Sequence, residues 1–166
     1  MHVTTSGSAT VTLPEDDQIL ITREFDAPKH LVFRAMTTPD LVKRWWHAKR
    51  GEVTIAEIDL RVGGGWRYVA VTSDGFEVAF HGEYREIIPN ERIVSTEVYE
   101  GAPIDDPDQA ATVNTVTLTE ADGRTTMTVL VQAPNKEVRD AIIDSGMEAG
   151  MQDAYDLLEE VAISLR

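Results

Sequence analysis

Residues 18–46 read QILITREFDAPKHLVFRAMTTPDLVKRWW, and this stretch sets the order in which the first elements follow one another. At its start, alternate side chains share one face of an extended chain, namely Ile19, Ile21, Arg23 and Phe25. This alternation predicts a β-strand. Asp26-Ala27-Pro28 ends the strand, because Asp suits a helix cap and Pro suits a first helical turn. Apolar residues then recur at helical spacing, and Thr38-Pro39 restarts the pattern, so two short helices follow the strand.

Six strand-like segments come after the second helix, and turn signals separate them. The segments are residues 52–62, 66–72, 76–87, 92–99, 112–119 and 125–131. Ser73-Asp74-Gly75 and Asp122-Gly123 favour tight hairpins, whereas Gly101 to Gln109 is typical of an exposed loop. Because strands joined by hairpins run in opposite directions, these segments predict one antiparallel sheet.

A long helical pattern closes the chain after Pro134-Asn135 and continues to about Ser164. Its apolar stripe consists of Ile142, Met147, Met151, Tyr155, Leu158 and Ala162. Such a stripe must be buried, and the concave face of the sheet is the available partner. We predict a single domain over residues 17–166 and a flexible N-terminal tail over residues 1–16, which lack sustained periodicity.

The charge of the chain limits its partners. It has 15 Lys plus Arg against 29 Asp plus Glu, so the formal net charge is −14. This charge repels nucleic-acid phosphates and anionic lipid, so we expect neither nucleic acid nor a membrane as a partner. The absence of Cys excludes disulfides and thiol chemistry. Without a signal-like start or a membrane-spanning apolar run, the sequence predicts a cytoplasmic protein.

The element order and several short motifs resemble the SRPBCC (START-like, helix-grip) superfamily, in the branch named after the activator of the heat-shock protein 90 ATPase. The motifs are Asp26-Ala27-Pro28 with Val32-Phe33-Arg34-Ala35, Thr38-Pro39 with Leu41 before Trp45-Trp46, Asp59-Leu60-Arg61-Val62-Gly63-Gly64, Asp74-Gly75, Gly82, and Ile88-Pro89-Asn90-Glu91-Arg92. The resemblance extends from about Gln18 to about Ala162. One departure is Gly150-Met151, where relatives often carry Gly-Trp, and a Met makes a softer wall than a Trp.

The resemblance implies an α+β helix-grip fold. In that fold a curved antiparallel sheet of about seven strands carries two short helices after its first strand. A long C-terminal helix lies over the sheet and encloses a cavity. Proteins of this superfamily bind lipids, plant hormones or polyketides, some catalyse cyclisation or condensation, and some assist chaperones, so the fold alone does not decide the function.

Aromatic and Met side chains are the candidate ligand-binding residues. They are Trp45, Trp46, Trp66, Tyr68, Phe80, Tyr84, Tyr99, Met147, Met151 and Tyr155. Such a lining suits a small hydrophobic ligand. The pattern alone favours a filled core instead, and the resemblance is what favours a cavity. For Trp45 and Trp46, which point about 100° apart on a helix, a rim of the cavity and a pair of packing anchors remain equal alternatives.

Charged residues offer a second kind of site. Glu57, Asp59 and Arg61 alternate and share one strand face, where they form either a buried acid-base cluster or a solvated edge. The opposite face carries Ala56, Ile58, Leu60 and Val62, which are typical of a core. We therefore predict that the charged face points outward.

The histidines give little indication of a site. His81 and Glu83 have the spacing of a zinc deaminase motif, but the Cys ligands are missing. His47 follows the Trp pair and suits a general base at the cavity, although a surface histidine is the favoured interpretation. We predict no metal site and no cofactor, and Gly63-Gly64-Gly65 is a bend, since no helix follows it.

The leading hypothesis is a binding protein for a small, largely hydrophobic molecule, oriented by Tyr68, Tyr84, Tyr99 or Tyr155. A cyclase or condensing enzyme that uses the same cavity is one alternative, with an inward carboxylate such as Glu57 or Asp59, or a Tyr, as its general acid or base. A chaperone co-regulator that acts on a chaperone ATPase through its surface is another. A homodimer is compatible with the sequence, but no apolar stripe requires one.

Overall fold

The structure is a computed structural model that describes residues 9–47, 50–100 and 111–166. Its strands are β1 (Thr10–Thr12), β2 (Gln18–Phe25), β3 (Gly51–Ile58), β4 (Gly65–Thr72), β5 (Glu77–Ile88), β6 (Arg92–Tyr99), β7 (Thr112–Ala121) and β8 (Arg124–Gln132). Its helices are α1 (Lys29–Thr37), α2 (Pro39–Val42), α3 (Lys136–Asp144) and α4 (Met147–Ser164). None of the described helices has the length and apolarity needed to cross a membrane.

All eight strands belong to one antiparallel sheet with the order β1-β2-β8-β7-β6-β5-β4-β3. The strands β3 to β8 follow one another as hairpin-connected neighbours, whereas β2 pairs with β8, so the first long strand lies beside the last. The helices α1 and α4 pack together over the concave face. This architecture confirms the predicted α+β helix-grip fold.

The strand β1 lies inside the segment that the sequence predicts to be a flexible tail. Thr10 pairs with Thr22 of β2. Just before β1, the Gln152 side chain of α4 receives the N–H of Ala9 and donates to its carbonyl, both at 3.0 Å. A three-residue strand is too short to leave an alternating pattern, so only its tertiary partners reveal it. Residues 1–8 of the predicted tail and the whole of the predicted loop, residues 101–109, lie outside the described residues.

The single long C-terminal helix that we predicted is two helices. The first helix, α3, begins where the Asn135 side chain accepts a hydrogen bond from Val138 N at 2.9 Å. Between α3 and α4, Gly146 has a φ of 84°, in the left-handed region. That conformation ends a helix, and Gly adopts it without the steric cost of a Cβ. The apolar periodicity continues across the break, and this continuity is why the sequence pattern concealed it.

The core lies between the concave sheet face and the helices. Ile19 and Phe25 of β2, Met127 of β8 and Val32 of α1 are fully buried there. Trp45, after α2, is buried as well, and its Nε1 donates to Ala35 O at 3.0 Å. Burial of each large apolar side chain contributes about 1.5–3 kcal/mol.

The helix α4 is unevenly buried along its length. Its C-terminal half places Leu158, Val161 and Ala162 in the core, all of them buried. Its N-terminal half carries Met151 and Ala154, which are only half-buried. The C-terminal half therefore anchors the helix, and the N-terminal half covers a less tightly filled part of the sheet.

Arg23 is a charged residue on the inward face of β2. It is fully buried, and its guanidinium lies 4.7 Å from the centroid of the Phe25 ring. Its Nη2 is 3.0 Å from Asp156 Oδ1 and 3.6 Å from Glu159 Oε1, both on α4, and its Nη1 donates to Glu24 O. The carboxylates of α4 thus compensate the charge that the strand places in the core.

Candidate functional site

A cavity of about 270 Å³ lies between the concave face of the sheet and the N-terminal half of α4. Seven of the predicted site residues line it, namely Trp45, Trp46, Trp66, Tyr68, Tyr84, Met151 and Tyr155. The strands supply one wall, the segment after α2 supplies a second, and α4 supplies a third. The residues come from distant parts of the chain because the sheet curves under the helix.

Phe80, Tyr99 and Met147 do not line this cavity. The Phe80 ring lies 5.1 Å from that of Tyr99 and 5.9 Å from that of Trp46, between ring centroids. Tyr99 is 43% exposed and lies outside the cavity wall. Met147 packs against the edge of the core at the start of α4. The first two residues therefore extend the aromatic cluster beyond the cavity.

The two adjacent tryptophans have different surroundings. Trp45 is buried and held by its hydrogen bond to α1, whereas Trp46 is half-buried. The Trp46 ring centroid is 5.4 Å from that of Tyr68 and 4.4 Å from that of His47. Trp45 therefore combines a packing role with a place in the cavity wall, and Trp46 forms part of the wall nearer to solvent.

Trp66 lies flat across a glycine of the neighbouring strand. Its Nε1 donates to Thr96 O of β6 at 3.2 Å, and its register partner on β5 is Gly82. A Cβ at Gly82 would lie 1.8 Å from Thr96 O and 2.6 Å from Trp66 Nε1. Only Gly at this position lets the indole ring cross the sheet, so Gly82 fixes one wall of the cavity.

The sequence prediction missed the polar side chains in the cavity. They are Ser95 and Glu97 of β6 and Asn114 of β7. One signal for Glu97 was available, because Tyr99 was assigned to the inward face and strand alternation places Glu97 on the same face. Asn114 had the same kind of signal, because alternation places it on the strand face of Val116 and Leu118. Its place beside the polar residues of β6 follows only from the pairing of Ser95 with Asn114.

Glu97 is the acidic group on the cavity wall. Asn114 Nδ2 donates to Glu97 Oε2 at 2.6 Å. Burial raises the pKa of Glu97, because the charged carboxylate loses its hydration, and the Asn114 hydrogen bond only partly opposes this. Asn114 Oδ1 is buried and receives no hydrogen bond within the described part of the chain. A buried acceptor of this kind is costly until a donor reaches it.

Three tyrosines place hydroxyl groups on the same cavity. Burial raises the pKa of Tyr84 to about 12, and it raises the pKa of Tyr68 and of Tyr155 as well. A hydrogen bond joins Tyr68 and Tyr84. All three phenols are therefore neutral in the physiological range and act as hydrogen-bond donors and acceptors.

His47 also lines the cavity. Its backbone is in the left-handed region with a φ of 50°. Burial and then the nearby Arg50 charge lower its pKa below 6.5. His47 is therefore neutral at neutral pH, and its ring is a polar but uncharged part of the wall.

The sequence matches the family described as "Activator of Hsp90 ATPase homolog 1-like protein" over residues 26–162. The chain belongs to this family. A comparison with curated proteins gave no significant match. The family match covers every element from α1 to nearly the end of α4, and it includes all the residues that line the cavity.

Solved structures of several bacterial proteins share the fold of this Hsp90 ATPase activator-like chain. A protein from Rhodobacter sphaeroides is 23% identical with a TM-score of 0.84, over 95% of this chain and 99% of that chain. A protein from Arthrobacter aurescens is 25% identical with a TM-score of 0.81, over 93% of this chain and 91% of that chain. A protein from Mycobacterium smegmatis is 23% identical with a TM-score of 0.82, over 93% and 96%. These similarities support the fold.

The charged side chains of this family member point outward, as the sequence predicted. The strand β3 ends at Ile58, however, and the chain then turns, with Arg61 N donating to Asp59 O at 2.8 Å. Leu60 and Val62, which the sequence placed on a core face, are therefore 40% and 63% exposed. Glu57, Asp59 and Arg61 are exposed, and Arg61 Nε lies 2.8 Å from Asp59 Oδ2. His81 is exposed too and pairs with Glu100 at 3.0 Å. Across the described ranges, no group of three or more His, Asp or Glu side chains is arranged to hold a metal ion. The carboxyl group that lies on the cavity wall belongs to Glu97 and not to Glu57 or Asp59.

An open surface depression of about 360 Å³ lies elsewhere, beside Lys29, Glu91 and Glu120. Its charged groups are already paired, since Lys29 Nζ is 3.5 Å from Glu91 Oε1 and Lys29 N donates to Glu120 Oε1 at 2.8 Å. We therefore assign the candidate site to the aromatic cavity under α4.

Proposed function

We propose that the protein binds a small, largely hydrophobic molecule in the cavity under α4. The observation that carries this proposal is the composition of the wall, where aromatic and Met side chains surround a compact polar group formed around Glu97 and Asn114. Ligand sites are commonly apolar cavities with a few placed polar groups.

The size of the cavity limits the ligand. At about 270 Å³ it lies near the lower end of small-molecule sites, so it suits a molecule of one or two rings. Transfer of the apolar part of such a ligand from water contributes about 25 cal/mol per Å² before the costs of association. The hydroxyls of Tyr68, Tyr84 and Tyr155 would orient its polar end.

Native mass spectrometry of the freshly purified protein, paired with a denatured spectrum, tests the proposal first. We expect additional mass that disappears on denaturation. For a ligand that the expression host does not supply, calorimetric titration with 1-naphthylmethanol provides a two-ring probe with a neutral polar end.

A cavity-filling variant shows where the ligand binds. Met151 lies on the cavity wall, so Met151→Trp should weaken binding of the probe by about tenfold or more, which corresponds to about 1.4 kcal/mol. Met147→Trp places the same side chain on α4 outside the wall and should leave the affinity unchanged. Thermal unfolding of both variants verifies that they fold.

Two results would contradict the proposal. If native mass spectrometry shows no bound mass and calorimetry shows no binding of the probe, the function is carried by the outer surface, as the family description with its chaperone ATPase suggests. Equal affinity in both Trp variants would show that the ligand binds somewhere other than this cavity.

A further inference from the structure

The charges around the cavity are strongly unequal. Glu97 supplies a carboxyl group to the wall, and among the described lining residues there is no Lys or Arg. The two nearby guanidinium groups already have partners, since Arg23 pairs with Asp156 and Arg50 lies 3.4 Å from Asp153. An anionic ligand would therefore enter without a counter-charge, whereas a cation would find one.

The wall near this carboxyl is built from aromatic rings. The ring centroid of Tyr68 is 4.8 Å from that of Trp66 and 5.4 Å from that of Trp46. Trp66 is fixed by its hydrogen bond to Thr96 O, the carbonyl that precedes Glu97. Faces of Trp and Tyr rings attract cations, and this attraction is larger where water is excluded.

We propose that the cavity selects small aromatic or alicyclic amines, with Glu97 as the counter-charge of the ammonium group and the rings of Trp46, Trp66 and Tyr68 around it. This inference rests on the proposed function of the cavity. Asn114 has a supporting role, because its Oδ1 is a buried acceptor without a donor in the described residues and can receive an N–H of the same amine.

Binding of an amine should be linked to the ionisation of Glu97. In the free protein, burial favours the protonated carboxyl, whereas an ammonium group in the cavity favours the carboxylate. Amine affinity should therefore rise with pH, by up to about tenfold per pH unit, until pH exceeds the pKa of Glu97 in the free protein.

Other titratable groups face the cavity beside Glu97, and their effects can be separated. Tyr68 of β4, Tyr84 of β5 and Tyr155 of α4 stay neutral because burial raises the pKa of each phenol. The charge of Arg23 also acts on Tyr155. His47 is protonated at low pH and would then repel an amine, so it needs its own control. His47→Asn removes this titration, and Asn tolerates the left-handed backbone at this position.

The experiment is calorimetric titration with three probes that share one ring system, namely 1-naphthylmethylamine, 1-naphthylmethanol and 1-naphthoic acid. The wild-type protein and the Glu97→Gln and His47→Asn variants are compared between about pH 5 and about pH 8. Gln has the shape of Glu and can still accept from Asn114, so Glu97→Gln removes the charge and keeps the packing.

We expect the wild-type protein to bind the amine at least about tenfold more tightly than the alcohol at the upper pH, and the acid most weakly. Glu97→Gln should lose both the preference for the amine over the alcohol and the pH dependence of that preference. His47→Asn should keep the preference. The pH profile of the wild-type protein tests the inference even if Glu97→Gln does not fold.

The failures of the two proposals differ in this experiment. If no probe binds to the wild-type protein, the proposed function itself fails. If the alcohol binds and the amine binds no better, or if the preference for the amine survives in Glu97→Gln, the amine inference is wrong while ligand binding in the cavity stands.

Discussion

At the scale of single residues, Arg23 is the charge that the core has to accommodate. Its guanidinium is fully buried, and Asp156 and Glu159 lie within 3.6 Å of it. Its Nε–H has no acceptor within the described structure. Glu159 has a second role, since its Oε2 accepts from Asp26 N at 2.7 Å. The ion pairs of Arg23 with Asp156 and Glu159 therefore connect β2 to α4, although burial of these charges costs hydration free energy.

Removal of the acidic partners should destabilise the protein more than replacement of the arginine. The double variant Asp156→Asn, Glu159→Gln leaves a buried cation without compensation and should lose about 3–5 kcal/mol of unfolding free energy. Arg23→Met fills much of the same space without a charge and should lose clearly less. Urea denaturation of both variants measures this difference. The reverse order would mean that Arg23 stabilises the fold through its contacts with Glu24 O and the Phe25 ring more than through the two carboxylates.

Glu97 should give the stability of the protein a pH dependence. Its pKa is higher in the folded protein than in the unfolded chain because of burial. The stability from this group is therefore fully present below the unfolded pKa and is lost as pH rises through the folded pKa. Relative to Glu97→Gln, the wild-type protein should become less stable over that interval. Urea denaturation of both proteins across this pH interval measures the difference in stability. If the wild-type protein became more stable than Glu97→Gln as pH rises, the burial of the carboxyl would be contradicted.

At the scale of elements, the break between α3 and α4 depends on one backbone conformation. Gly146 has a φ of 84°, and a Cβ there would meet no atom within 4 Å. Its replacement therefore tests backbone strain without a steric clash.

Gly146→Ala should destabilise the protein by about 1–2 kcal/mol, because an L-residue adopts the left-handed conformation only at that cost. Gly150→Ala, within α4, is the matched control, since its Cβ would lie at an ordinary 3.8 Å from Arg50. The control should stabilise the helix by about 0.5–1 kcal/mol. Chemical denaturation gives both values, and equal effects would argue for one continuous helix.

The elements with local signals were predictable from the sequence. Hairpin turns such as Asp122-Gly123 depend on a few adjacent residues, and this one joins two observed strands. The start of α1 was predicted within two residues, but the predicted cap Asp26 was wrong, since the N-cap is Pro28 and no side chain caps the helix. The strand β1 and the break at Gly146 were not predicted. The first depends on the pairing of Thr10 with Thr22, and the second on whether a glycine takes a positive φ within an unbroken apolar pattern.

The site was predictable only where alternation alone decides it. Trp66, Tyr68 and Tyr84 follow from the period of their strands. Tyr99 shares their face but lies beyond the cavity, because its position along the strand depends on the curvature of the whole sheet. Asn114 shares its strand face with Val116 by alternation, whereas its place beside Ser95 follows from the register between β6 and β7.

At the scale of the whole molecule, the formal charge of −14 acts against compactness. The ion pairs on the surface, such as Arg67 with Glu100 at 2.9 Å, contribute little because water and salt screen them. Repulsion among the unpaired carboxylates is therefore the main electrostatic influence on stability.

Added NaCl should raise the melting temperature. Salt at a few tenths molar shortens the distance over which the carboxylates repel one another, while the buried Arg23 pair is screened much less. For a chain of this size, each kcal/mol gained in the free energy of unfolding raises the melting temperature by about 2–4 °C. Differential scanning calorimetry over a salt series measures the shift, with KCl as a check on ion identity. A fall in melting temperature would mean that surface ion pairs outweigh the repulsion.

The unequal burial of α4 has a kinetic consequence. The segment that covers the cavity, around Met151 and Ala154, is half-buried, whereas Leu158 and Val161 at the other end of the helix are buried. Local opening of the first segment therefore breaks fewer packing contacts. A molecule exchanging with the cavity needs only the first segment to open, which costs less than global unfolding. Backbone amides of residues 151–154 should therefore exchange with deuterium faster than those of residues 158–162. The speed of ligand uptake would then be limited by local helix opening and would be nearly the same for ligands of quite different affinity.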